Sequence, residues 1–279
     1  MAFFSANIAA FAISANAQLP DTRARDLHGW VVCTNDGNYT PISDSDASAL
    51  AIQHGNATEQ RSGNATPNPY TGIAPNNYIP SSAELSAFLN NEVDSYGNGP
   101  AAQNPYHQYV TGGFSGTTDQ IIEWAAEKWG INANWLRAEY VVESDWNQNQ
   151  WSDLATVANV NAYPPQSRVS ATQVNQSTGL SSVKWNHPDV NDSGTGTEPL
   201  RWKSTAFNAD YQASQVRFYF DNPQGLRSAW GDSTYRPCEN WLSIGGWYNP
   251  YPWNNAGQKS YIQSVKTVQV NRPWTQPGF

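Results

Sequence analysis

Residues 117–146 read TTDQIIEWAAEKWGINANWLRAEYVVESDW, and this stretch decides the fold. Thr117 stands where a helix cap belongs, and Gln120, three positions on, can return the bond to its backbone. Ile121, Ile122, Ala125, Ala126 and Trp129 then recur at helical spacing as one apolar stripe. Gly130 ends that helix, and Asn132 or Asn134 caps a second. In the second helix Leu136, Tyr140 and Glu143 fall at i, i+4 and i+7, so they share one face. Glu143 therefore points toward packing at a helix C-terminus. Burial and the negative end of the helix dipole both disfavour its anion, which predicts a carboxyl that favours its protonated form.

The rest of the chain can bury a substantial core around these helices, since 39% of its 279 residues are hydrophobic and 13 are Trp. Charge is sparse, at 14% of residues with a net of -8, and Asn, Ser, Thr, Gly and Pro are plentiful. That balance is common in secreted proteins that meet neutral polymers. It argues against nucleic acid as a partner, because a phosphate backbone calls for clustered cations, and the 15 basic residues are scattered among 23 acidic ones. Residues 1–17, MAFFSANIAAFAISANA, carry an apolar run and end in Ala15-Asn16-Ala17, the pattern of a signal-peptidase site. The run lacks the usual leading Lys or Arg, so an ordinary apolar N-terminal segment remains the other reading. No apolar stretch of about 18 residues occurs elsewhere, and no membrane span is expected.

Residues 18–115 are dense in Pro, Gly and Asn breakers and read as a loop-rich N-terminal arm or subdomain with one helix. That helix is marked by the capping box Ser81-Ser82-Ala83-Glu84 ahead of Leu85, Phe88, Leu89 and Val93. The run TGGFSGTT, 111–118, marks the boundary with a mainly α domain over 116–279. Within that domain, 147–201 reads as irregular and polar, with QSTGLSSVKWNHP (176–188) its one distinctive segment. A helix starts at Ser204-Thr205, places Phe207, Tyr211, Ser214 and Phe218 on one face, and stops at Asp221-Asn222-Pro223. An aromatic loop, ENWLSIGGWYNPYPW, follows at 239–253, then a short helix near 258–266 that packs Tyr261, Ile262 and Val265, then a surface strand or tail, NRPWTQPGF.

Around Glu143-Ser144 the sequence resembles the lysozyme-like fold of soluble lytic transglycosylases and goose-type lysozymes, most closely secreted actinobacterial-type members. Glu143-Ser144 matches the family's helix-terminal Glu-Ser, and Gly179-Leu180-Ser181-Ser182 aligns with its G-L-M-Q motif. Asn208 matches the Asn of the next helix, Tyr248-Asn249 the Y-N pair, and Tyr261 the tyrosine of the final motif. The resemblance spans roughly 116–268. It departs from the family where Ser182 replaces a Gln expected to contact substrate, where an Asn-rich insertion follows Trp151, and where Pro250 stands after the Y-N pair.

The resemblance implies cleavage of β-1,4 glycosidic bonds in peptidoglycan or a related glycan. Glu143 would be the general acid and base, and Ser144, Ser182, Asn208, Tyr248, Asn249 and Tyr261 would line the substrate site. Transglycosylases of this fold act with one Glu and the sugar's own 6-hydroxyl, whereas most glycosidases need a second carboxylate. Asp145 and Asp153, just beyond the helix, are the candidates for a base, although loop carboxylates are usually solvated. Glu139, one turn before Glu143, could raise its neighbour's pKa or be an ordinary ion-paired residue. Trp241, Trp247, Tyr251 and Trp253 could offer flat faces to sugars, or simply pack.

No cofactor is expected. His28, His54, His107 and His187 lie far apart with no HExxH spacing, which gives no sign of a metal site, and neither a phosphate loop nor a GxSxG elbow is present. Cys33 and Cys238 fit no metal spacing; in an exported chain they could form one long-range disulfide, otherwise they are two separate thiols. Sequons at Asn38, Asn56, Asn64, Asn175 and Asn191 are about as many as this composition yields by chance. The rival to an enzyme is a lysozyme-like module without catalysis, extracellular and structural or carbohydrate-binding, self-associating through the N-terminal arm. Ser182 in place of Gln and the acidic net charge motivate it.

Overall fold

The computed structural model describes residues 22–34, 38–91, 104–184, 196–221 and 232–279. The expected signal segment, His187, Asn191 and the Asn222-Pro223 stop lie outside the described residues. The architecture is mainly α with one small sheet. The helices are α1 (Asp44–His54), α2 (Ser82–Asn91), α3 (Thr118–Trp129), α4 (Ala133–Ser144), α5 (Leu200–Lys203), α6 (Thr205–Asp221), α7 (Asn240–Tyr248) and α8 (Ala256–Asn271). Strands β1 (Trp151–Thr156), β2 (Gln173–Thr178) and β3 (Val183–Lys184) form an antiparallel sheet in the order β1-β2-β3. Trp151 pairs with Thr178, and Ser177 with Lys184.

The opening stretch folds as its spacing requires. Thr117 and Gln120 close a capping box, Gly130 turns left-handed at φ 62°, and the Asn132 side chain accepts the amide of Asn134 to cap α4. Ile121, Ile122, Ala125, Ala126, Trp129, Leu136 and Tyr140 are fully buried. Helix α6 lies against α3 and α7, while α8 lies against α4 and α7. Almost every residue of α6 is inside, the pattern of a helix enclosed on all sides.

The N-terminal region is built into the same core. Trp30, Tyr39, Ala47, Ala51, Phe88, Tyr106 and Phe114 share one apolar cluster with α3, α4 and α6. A buried charge network fastens it: Lys128 Nζ lies 2.8 Å from Asp44 on α1 and 2.8 Å from Asp210 on α6. The expectation of one helix here is short by one. Helix α1 went unseen because its buried residues, Ala47, Leu50 and Ala51, are few and mostly small, leaving little periodic signal.

Three further expectations are corrected. The irregular stretch 147–201 holds the sheet, whose strands are polar enough to read as loop. The aromatic loop 239–253 contains α7 despite Gly245 and Gly246. A Cβ on Gly245 would come within 2.5 Å of Gln258 and one on Gly246 within 2.7 Å of Tyr219, so close packing demands glycine in a helix that propensity disfavours. The C-terminal residues form no strand: Trp274 sits in a short 3-10 turn, buried, with its ring stacked on Trp146.

Cys33 and Cys238 are joined by a disulfide that ties the N-terminal region to the segment before α7. Such a bond is compatible with an oxidising, extracellular setting. Among the described residues no helix is long and apolar enough to cross a membrane.

Candidate functional site

Helix α4 ends at Ser144 because Asp145 and Trp146 both turn left-handed, at φ 53° and 61°. The last turn thereby holds Glu143 at the edge of the core, partly exposed, while Glu139 one turn back is fully buried. Packing of α8 against α4 brings Tyr261 to both. Its hydroxyl donates a short hydrogen bond to Glu143 Oε1 and lies 3.3 Å from Glu139 Oε1.

Desolvation by the surrounding protein pushes the Glu143 carboxyl up from 4.5 to about 7. Donors from Tyr261 and Ser182 oppose the rise, the Asp153 charge adds to it, and Lys184 counters it. Glu139 stands well above the usual carboxylate range, first because it is buried and second because Glu143 is beside it. Tyr261 is likewise pushed well up by burial and by the two carboxyls, so its phenol keeps its proton.

Opposite the helix end stands the tight turn joining β2 to β3. Gly179 has φ 88°, and a Cβ there would fall 2.1 Å from Asn208 Nδ2, so only glycine fits. Asn208 is buried and fully engaged: Oδ1 accepts from the Ser181 amide and hydroxyl at 2.8 and 2.7 Å, and Nδ2 donates to the carbonyls of Thr178 and Arg201 at 3.0 and 2.8 Å. Ser144, also buried, donates to the Leu180 carbonyl at 2.7 Å, and Ser182 donates to the Glu143 carbonyl at 3.1 Å. Ser144 thus ties the turn to the end of α4 and Asn208 ties it to α6, both turned away from solvent. Gln148 accepts from the Leu180 amide at 2.8 Å and Trp247 on α7 donates to the Ser181 carbonyl at 3.0 Å, which hold the same turn. Gln148 carried no sequence signal, because a lone Gln in a polar loop has none.

Asp153, on β1, accepts from the Ser177 hydroxyl and lies 3.7 Å from Lys184 Nζ. Of the two candidate bases it is the one whose charge reaches Glu143. Asp145 pairs with Arg61 at 3.0 Å. Tyr248 is exposed and stacks on Tyr261, with centroids 5.0 Å apart and planes 7° from parallel. Asn249 follows as the cap of α7, and Tyr251 is exposed. Of the two readings open for the tryptophans, sugar faces or packing, the structure has them in packing: Trp241 stacks on Trp135 at 3.9 Å, Trp253 is buried against Tyr235, and Trp247 is held to the turn.

One histidine does meet carboxylates that its sequence spacing does not suggest. His54 Nδ1 lies 3.9 Å from Glu123 Oε1 and 3.7 Å from Glu127 Oε1. Each carboxylate is already bonded to an arginine, Glu123 to Arg137 at 2.6 Å and Glu127 to Arg25 at 2.8 Å, which makes the group an ion-pair network. A polar cavity of about 550 Å³ adjoins it, bounded by His54, Asn56, Asp119, Arg137, Trp274 and Gln276, and includes none of the Glu143 group.

Glu143, Ser182, Tyr248 and Tyr261 therefore converge, with Asp153 across from them on the sheet and Ser144 and Asn208 behind the turn. Comparison of the chain with described protein families, with curated proteins and with solved structures finds no match to any of them.

Proposed function

We propose that this chain is a secreted glycan-cleaving protein of the lysozyme-like class, acting on β-1,4 glycosidic bonds of peptidoglycan. The observation that carries the reading is a desolvated Glu143 carboxyl, at about 7, held by Tyr261 within reach of the Asp153 charge. A carboxyl poised there can give a proton to a leaving sugar oxygen near neutral pH and take one back afterward. The exposed ring of Tyr248, propped on Tyr261, offers a flat apolar face beside the acid for a sugar ring to lie against.

Asp153 favours the route that consumes water over the one-carboxylate route to an anhydro sugar. In that route Glu143 protonates the glycosidic oxygen as the bond to the anomeric carbon breaks. Water then delivers its hydroxyl to that carbon and its proton to Asp153. The test is cell-wall clearing by purified protein and by E143Q, with product masses recorded. Clearing by wild type alone, with one water gained per bond cut, supports the proposal. Equal clearing by both proteins removes Glu143 from the chemistry, and an anhydro product removes Asp153 as base. The non-catalytic alternative rests on Ser182 in place of Gln and on the acidic net charge; equal clearing by wild type and E143Q, or none by either, favours it.

A further inference from the structure

We infer that Glu139 is a protonated, neutral positioning residue at neutral pH, donating a hydrogen bond to Tyr261 and thereby committing the single phenol proton to Glu143. Its consequence for turnover rests on the glycan-cleaving reading, whereas the hydrogen-bond chain stands without it.

The inference begins with a count of protons. Tyr261 Oη sits between Glu143 Oε1 and Glu139 Oε1, and a phenol has one proton to give. The second contact is attractive only if one carboxyl brings a proton of its own. Glu143 keeps some exposed surface and Glu139 has none, so burial penalises the Glu139 anion more than that of Glu143. Among the described residues no cation faces Glu139. Its neighbours are Glu143 on its own helix, Tyr261 from α8 and Gln212 from α6. Asp210, nearby on α6, is already bonded to Lys128 and Trp129, and Gln212 Oε1 accepts from Tyr140 at 2.9 Å.

The second oxygen agrees. Glu139 Oε2 is buried without a hydrogen-bond partner, and Gln212 Nε2, although close enough to favour the anion, makes no bond of good geometry. An unpartnered oxygen on a buried anion is far more costly than the carbonyl oxygen of a neutral acid. The order of donation is therefore Glu139 to Tyr261 to Glu143. Glu139 touches no substrate; it sets which way the Tyr261 hydroxyl points.

Two measurements on the intact protein test this without turnover. Infrared spectra taken roughly two pH units above the Glu143 midpoint of about 7 should retain the carbonyl band of a protonated carboxylic acid, lost in E139Q and kept in E143Q. A wild-type spectrum identical to that of E139Q, or a band lost in E143Q instead, overturns the assignment. The second measurement follows Glu143 itself by carbon NMR of its carboxyl. A Gln amide can replace the protonated acid as donor, so in E139Q the midpoint should move by less than about half a unit. Removal of an ionised neighbour would lower it by about one unit or more, and that result also overturns the inference. If E139Q folds poorly, carbon NMR of the Glu139 carboxyl in E143Q decides the matter: the shift of a protonated acid at that pH supports the assignment, and that of a carboxylate overturns it. Absence of glycan turnover with the band present would count against the proposed function alone.

Discussion

The Tyr261 hydroxyl donates to Glu143 Oε1 across the packing of α8 on α4, and the same ring carries the stacked Tyr248 on its face. One side chain thus links the acid, the buried carboxyl behind it and the exposed aromatic beside it.

Y261F should raise the Glu143 midpoint. The phenol donates to the anion and so lowers the pKa, and its removal leaves only Ser182 and Lys184 to oppose burial. A hydrogen bond to a charged group contributes about 1.5–3 kcal/mol, which corresponds to a rise of roughly one to two units. Carbon NMR of the carboxyl, or the alkaline limb of the activity profile, would register it.

D153N should move the midpoint the other way. The Asp153 charge raises the Glu143 pKa, so its loss lowers the value and shifts the profile toward acid. If Asp153 is the base, turnover falls by about 100-fold or more as well. An unchanged rate would leave Asp153 a purely electrostatic neighbour.

Glu143 should cost stability as the pH rises. Its folded pKa exceeds the unfolded value, so its stabilising contribution is complete below 4.5 and is lost as the pH rises toward about 7. That gap corresponds to roughly 3 kcal/mol at most. E143Q lacks the titration, so its melting temperature should exceed that of wild type above neutrality and approach it at acid pH. Thermal melts across the range check the sign.

G179A should unfold the turn that faces Glu143. The new Cβ meets Asn208 Nδ2, and φ 88° is strained for any residue with a side chain. About 2–4 kcal/mol of stability should be lost in chemical denaturation, with N208A close to it because four hydrogen bonds disappear.

Reduction or C33S/C238S should lower stability by about 3–5 kcal/mol, since the bond closes a loop with a separation of 205 residues. Denaturation with and without reductant reads this directly.

The sequence by itself determined the local elements whose signals are short-ranged. The box at Thr117 and Gln120 and the stop at Gly130 depend on neighbours three or four residues away, and the structure has them as read; of the two residues that could cap α4 it uses Asn132. The burial of Tyr261, Ile262 and Val265 follows from spacing on α8 in the same way. Glu143 at a helix end, on a face with Leu136 and Tyr140, was equally legible, and so was the direction of its pKa shift.

Only the tertiary structure decided what those elements face. Helix α7 packs so closely that a Cβ at Gly245 would meet Gln258 and one at Gly246 would meet Tyr219, and no local rule contains that information. Asn208 and Ser144 became supports of the turn, while Asp153, one of two equal candidates in the chain, was singled out by the strand that carries it. Glu139 shows the physical reason most plainly. The state of a carboxyl depends on desolvation and on the polar groups that face it, and at Glu139 these are Gln212 on α6 and Tyr261 on α8, some 70 to 120 residues away along the chain.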